Sequence, residues 1–232
     1  MKRVWTVAFL YWIVMSVLCC WLYPCLMSDT MARYAPMADA FARGEWRFAF
    51  HPRFGVLFGS LTGATVALTG LDGGRACQVV SFFFFSFSIV PIWATVKRVF
   101  VDGRIAWVAA VLALLSSECF IFALDGLRDP CRTFGLAMCA LSFVGGAPWT
   151  MALGLFCLVS LRTDLFAISG ALLLAWCILR LRRREAALSL CLPVAAWSAG
   201  AFLVVLMTRA YTGYWLPGAQ FVGLWQKIFG GG

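Results

Sequence analysis

Residues 131–179 read CRTFGLAMCALSFVGGAPWTMALGLFCLVSLRTDLFAISGALLLAWCIL, and the number of helices they form sets the topology of the whole chain. Gly145-Gly146-Ala147-Pro148 interrupts the first apolar run, because glycine and proline both oppose helix continuation. Arg162 and Asp164 split the second half. The pattern predicts three short helices, at about 131–144, 148–161 and 165–179. The alternative is one long helix over 131–161 followed by 165–179.

Charge decides between them. Elsewhere, apolar runs of roughly 20 residues, the length that crosses a hydrocarbon core, predict spans at Val4–Met27, Cys77–Val96, Ile105–Leu124 and Ala186–Met207. Lys and Arg are retained on the cytoplasmic side of spans. Lys2 and Arg3 therefore place the N-terminus inside and the 28–75 segment outside. Lys97, Arg98 and Arg104 then fall inside, and Asp125 to Asp129 outside. The basic run Arg180-Leu-Arg-Arg-Arg184 also belongs inside, which requires an odd number of crossings after Asp129. Three short helices satisfy that condition, and the long-helix alternative does not. The expectation is an all-α, polytopic membrane protein of about seven spans, with the C-terminus outside. The first two short helices reach only about 21 Å, so protein or thinned bilayer must cover their ends.

Composition agrees with a bilayer. The 232 residues are 63% hydrophobic and 12% charged, with a mean hydropathy of +0.90; soluble domains carry about twice that charge fraction. The net charge of +9 is scattered over short loops, which excludes a nucleic-acid surface and fits the cytoplasmic edges of spans. The ten cysteines include no CxxC pair and lie mostly in apolar runs, where cysteine acts as a small hydrophobe. Neither a zinc site nor a disulfide framework is expected; Cys25 and Cys131, near span ends, are the one pair to test for oxidation. The first run is too long for a signal-peptide core and no small-x-small site follows it, so it reads as a retained span.

Charge concentrates after that span. Ser28–Arg53, SDTMARYAPMADAFARGEWRFAFHPR, holds four arginines, three carboxylates and the only histidine. Thr30–Trp46 has an approximate helical period, with Asp29 as N-cap. Phe54–Leu71, between Arg53 and Asp72, reads as a second interfacial helix, since a full crossing there would reverse every later assignment. Tyr211–Phe229 reads as a third. Residues 1–232 thus form one membrane domain, with 28–75 its first outer segment and 209–232 the start of an outer C-terminal segment that is open to truncation.

The outer arginines run against the charge rule. In the plainer reading Arg33, Arg43, Arg47, Arg53 and Arg75 pair with Asp29, Asp39, Glu45, Asp72 and lipid headgroups. In the sharper one, some of them hold a phosphate or diphosphate of a lipid-linked substrate, for which the guanidinium fork is suited. Asp29 is both a helix cap and a candidate base toward a hydroxyl. Leu127-Arg128-Asp129-Pro130 is an ordinary helix start that also supplies Arg128 and Asp129 to a surface site. Arg162 and Asp164 form a further outer charge pair, and Glu118 lies inside an apolar run; ionisable groups at membrane depth are site candidates. His51 stands between Phe50 and Pro52 and makes no metal site. Phe82–Phe85 reads as packing or lipid-facing surface. No Walker, GxGxxG, HExxH or GxSxG motif is present, and the cytoplasmic loops are too short for a nucleotide domain.

Taken in order, these residues resemble the GT-C superfamily of integral-membrane glycosyltransferases, in particular its protein-O-mannosyltransferase-like (glycosyltransferase family 39-like) bacterial members. The resemblance runs through Asp29…Arg33-Tyr34…Ala38…Gly44-Glu45-Trp46, then His51-Pro52, Leu127-Arg128-Asp129-Pro130, Leu161-Arg162-Thr163-Asp164 and Tyr211-Thr-Gly-Tyr-Trp-Leu-Pro217. It implies an N-terminal seven-span GT-C-like module in a bacterial inner membrane, its interfacial helices on the trans face. It further implies a polyprenyl-phosphate sugar donor used on the extracytoplasmic side, with Asp29 as catalytic base and Asp129 second. Arg33, Tyr34, His51, Arg53, Arg128 and Arg162 are the residues expected to bind the donor and its phosphate. No cofactor is implied, a divalent metal is left open, and the partners are the lipid-linked donor, membrane lipids and an acceptor of unspecified class. Arg53 after His-Pro, Gly218 after Trp-Leu-Pro and Asp164 in place of Glu depart from the family pattern, and family members continue for several more spans. The rival reading is a non-catalytic membrane protein, either a transporter or flippase of lipid-linked precursors or a subunit of a larger complex. Convergence of Asp29, Asp129 and the arginines on one outward site discriminates the two.

Overall fold

A computed structural model describes residues 1–23, 28–45, 56–145, 147–161, 165–183 and 188–212. Every regular element among them is helical. Leucine-, alanine- and phenylalanine-rich runs cannot leave backbone N–H and C=O groups unpaired in hydrocarbon, and a helix satisfies them within the segment. In chain order the helices are α1 (Lys2–Leu22), a π-helical turn (Thr30–Tyr34) leading directly into α2 (Ala35–Ala42), α3 (Leu57–Thr69), α4 (Gly73–Phe100), α5 (Gly103–Leu114), α6 (Ser117–Leu124), α7 (Asp129–Phe143), α8 (Pro148–Leu161), α9 (Leu165–Arg182) and α10 (Leu188–Thr212).

Four of these, α1, α4, α9 and α10, are long and apolar enough to cross a membrane, or five crossings if the bent pair α5–α6 is counted as one. That is fewer than the seven expected, because α7 and α8 have only 15 and 14 residues. The three-helix division of 131–179 itself is present: α7 ends at Phe143, α8 runs from Pro148 to Leu161 and α9 starts at Leu165. Ile105–Leu124, expected as one continuous span, is instead bent by 47°. Leu115 ends α5 and Ser116 takes an extended backbone before α6 begins. Ser116, Ser117 and Glu118 place three polar side chains at that break, where serine competes with helical pairing.

Helix α4 is the axis of the bundle. Most of its apolar window is buried, against about a fifth for α1, α9 and α10. Asp72 caps its start by accepting from the Arg75 amide at 3.0 Å, and Lys97 and Arg98 occupy its last turn, where cations complement the helix dipole. Phe82, Phe84 and Phe85 are buried, so the phenylalanine run is packing surface. Phe82 meets Phe120 of α6, Phe83 meets Trp12 of α1 and Phe84 meets Phe134 of α7, with ring centroids 5.5–5.9 Å apart. α7 and α8 approach closely through Gly135 and Gly154: a side-chain carbon on either would meet the other's carbonyl oxygen, the small-residue contact that lets membrane helices pack backbone to backbone.

The bundle has two distinct ends. One carries Met1, Lys97 and Arg98 together with the α7–α8 connection, and is basic. The other carries the ends of α1 and α6, which Gln78 joins by donating to the Tyr23 carbonyl at 3.1 Å and the Leu124 carbonyl at 2.7 Å. The loop after α6 does not reach the top of α4. Ser81 donates to the Leu127 carbonyl at 2.5 Å, eight residues or about 12 Å below the first residue of α4. Because α7 and α8 are short, the bundle is hollowed at this end, and α2 and α3 fill the depression. α3 bridges α8 and the α1–α4 pair: the Val56 amide before it donates to Ser160 of α8 at 2.8 Å, while Leu61 and Thr65 stand with Trp12, Val79 and Phe83. The sequence predicts an interfacial helix over 54–71, and a helix of 13 residues is present at Leu57–Thr69.

Candidate functional site

The recessed end assembles two motifs nearly a hundred residues apart. Thr30, buried in the π-turn, donates through Oγ1 to the Asp125 carbonyl at 2.6 Å. Tyr34, one turn later, is buried against Phe58 of α3, edge to face at 5.6 Å. The Arg128 guanidinium lies 5.7 Å from the Tyr34 ring centroid and donates from Nη1 to the Leu161 carbonyl at 3.4 Å. Arg128 is only 7% exposed, so it ties the π-turn, the loop before α7 and the last residue of α8 into one corner. A buried guanidinium is costly to desolvate unless anions, carbonyls or a ring face surround it, which makes this corner a place where an anion gains more than at the surface.

Gly126 makes the loop possible. Its φ of +68° lies in the left-handed region, and a side-chain carbon there would press on Cys77 of α4 and Thr30. Burial of this loop also raises the Asp125 carboxyl from its ordinary value, since desolvation penalises its charged form.

The two candidate bases are held differently from expectation. Asp29 has helical backbone angles and no capping hydrogen bond; the helix already includes Ser28, so Asp29 is not the cap. Its carboxylate instead pairs with Arg33 one turn on, at 3.1 Å, and both side chains are about half exposed. Asp129, in the first turn of α7, pairs with Arg132 at 3.3 Å. Arg75 pairs with Asp72 at 3.3 Å and Arg43 with Glu45 at 2.9 Å, where the hydrogen bond from Arg43 lowers the Glu45 carboxyl. The plainer reading of the outer arginines therefore holds for Arg33, Arg43 and Arg75: each has a local carboxylate. Arg128, by contrast, meets Tyr34 and Leu161 from distant parts of the chain.

Of the residues expected at the site, the structure brings Tyr34 and Arg128 into contact and places Asp29 and Arg33 on the turn before them, with Asp129 directly after Arg128. His51, Arg53, Arg162 and Asp164 lie outside the described residues, as do Cys25 and the 213–232 segment. Cys131 is fully buried, and its pairing with Cys25 falls outside the described residues. Glu118 is exposed at the α5–α6 break, away from this corner. No group of three or more His, Cys, Asp or Glu able to hold a metal occurs among the described residues.

Sequence reasoning missed Gln78, Ser81 and Thr30, which set the depth of the loop. The signal was available: Gln78 and Ser81 are polar residues inside an apolar run, and such residues face protein rather than lipid. The chain matches no family model, no curated protein and no solved structure.

Proposed function

We propose that the chain is a GT-C-like module of seven crossings that transfers a sugar from a polyprenyl-phosphate donor to a hydroxyl acceptor on the extracytoplasmic side. The observation that carries this reading is the contact between Tyr34 and Arg128, which joins the post-first-span motif to the Leu-Arg-Asp-Pro motif in the order and proximity that the GT-C resemblance implies. Seven crossings are supported by the alternation of ends. α7 starts beside Ser81 and its later residues Met138 and Leu141 share a cavity with Lys97; α8 starts at that cavity and ends at Arg128. Short helices serve here because protein covers their ends beside Arg128.

In this reading Asp29 takes the proton from the acceptor hydroxyl, whose oxygen attacks the anomeric carbon. The carbon–oxygen bond to phosphate breaks and polyprenyl phosphate leaves with the electron pair. Arg128, aided by Arg33, holds the phosphate. His51 and Arg53 precede Val56, and Arg162 follows Leu161, so the described residues next to them in sequence are at this corner. Asp129, paired with Arg132, holds the second carboxylate position.

The test is transfer of labelled sugar from polyprenyl phosphate by the purified chain in lipid. Asp29→Asn is expected to lose about 10²–10⁴-fold in rate with unchanged thermal stability, and full activity in that variant would sink the proposal. One observation favours the non-catalytic reading: α1, α9 and α10 leave broad apolar faces on which helices of a larger assembly fit. An inactive isolated chain whose activity appears only with an added subunit would favour it.

A further inference from the structure

The basic end of the bundle holds a cavity that the site above does not use. It measures about 470 Å³, within the roughly 300–1,000 Å³ of ordinary small-molecule sites. It opens on the face of α4 left between α1 on one side and the α7–α8 pair on the other. Pro91 and Ala94 keep the α4 wall low, and Phe87, Met138 and Leu153 complete an apolar lining. Thr150, a polar residue in the wall, already donates to the Ala147 carbonyl at 2.6 Å. The wall therefore offers aliphatic contact and little hydrogen bonding.

The rim is different. Lys97 and Arg98, in the last turn of α4, line the same cavity, and no carboxylate is among the described residues that do. The Lys97 ammonium is seated over the Trp93 ring at 4.9 Å, which fixes it at the mouth. Trp5 and Trp149 also line the cavity and are each about half exposed, as tryptophan is at the headgroup level of a bilayer. By the charge rule this end faces the cytoplasmic leaflet, where anionic lipids concentrate.

We infer that this cavity binds an anionic phospholipid of the inner leaflet, one acyl chain lying against Pro91, Ala94 and Leu153 and the headgroup phosphate held by Lys97 and Arg98. The apolar wall and the uncompensated cationic rim select that occupant jointly: a zwitterionic lipid fits the wall but gains less at the rim. The inference stands independently of any transferase activity at the opposite end.

Native mass spectrometry of the full chain, released from detergent with phosphatidylglycerol or phosphatidylcholine, tests it. The expected result is one retained phosphatidylglycerol per chain, with phosphatidylcholine retained at least tenfold less. Lys97→Gln with Arg98→Gln should remove about tenfold of that preference, and Ala94→Leu should weaken retention of both lipids. Arg3→Gln with Arg104→Gln, which changes the same end outside the cavity, should leave the preference intact. Equal loss in that control pair would reduce the effect to surface charge and overturn the inference. So would unchanged preference in the Lys97/Arg98 variant, or a dimer that forms in place of lipid binding. Circular dichroism of Ala94→Leu separates lost binding from lost fold, and a folded variant that still retains lipid like the parent also overturns it.

Discussion

Asp125 shows how a single buried group colours this end of the molecule. It sits in a loop pinned by Thr30 and Ser81 to the interior of α4, and burial raises its carboxyl. A carboxyl whose folded-state value lies above its unfolded value favours the folded chain below the unfolded value and loses that contribution as pH rises through the folded one. Asp125→Asn is therefore expected to raise the unfolding temperature at pH 7, with the gain fading toward about pH 4, near the unfolded carboxylate value. Thermal unfolding in detergent across that range measures it, and a gain independent of pH would contradict the assignment. Asp29 teaches the complementary lesson. Its residue type and position fit a helix cap, yet the helix begins before it and the carboxylate pairs with Arg33. A cap depends on where the preceding backbone turns, which a residue's identity does not specify.

At the level of the helix, the α5–α6 break is the clearest departure from hydropathy. Averaged over 20 residues, Ile105–Leu124 is apolar throughout, and the average conceals Ser116, Ser117 and Glu118. Those residues concentrate polarity at one turn, where Ser116 adopts extended backbone and the axis bends by 47°. A carboxylate at the centre of a span costs about 2.5–3.5 kcal/mol on insertion scales. Glu118→Leu is expected to recover roughly that amount for the isolated α5–α6 segment, read as an increased inserted fraction in a glycosylation-mapping assay. An unchanged fraction would mean that Glu118 already lies outside the hydrocarbon. The α7–α8 pair was more legible. Gly145 to Pro148 marks their separation, and the facing Gly135 and Gly154 allow the close approach that partners two helices too short to span alone.

For the molecule as a whole, the alternation of ends is the property to test. In a cysteine-free background, Glu45→Cys and Asp102→Cys are expected to react with a membrane-impermeant maleimide from opposite sides. Arg183→Cys, just past α9, should react from the side of Asp102. Labelling of Arg183→Cys from the Glu45 side would remove one crossing between Asp129 and Arg180 and with it the seven-crossing proposal. The same alternation separates a mixed-charge end, where Tyr34 and Arg128 meet, from a basic end with its apolar cavity.

Sequence alone determined the helical class, the apolar helices of membrane-spanning length, the three-way division of 131–179 and the presence of a helix before Asp72. Each follows from local quantities, namely apolar run length, the placement of Gly and Pro, and the cost of unpaired backbone in lipid. Local pairing of Arg33 and Arg75 with carboxylates was also legible, because partners three or four residues apart along a helix meet regardless of tertiary context. Only the tertiary structure decided that the loop before α7 is recessed, that Gln78 and Ser81 hold it there, and that Arg128 is buried beneath Tyr34. Those facts depend on contacts between segments far apart in sequence, whose geometry is set by how short helices pack against a long one.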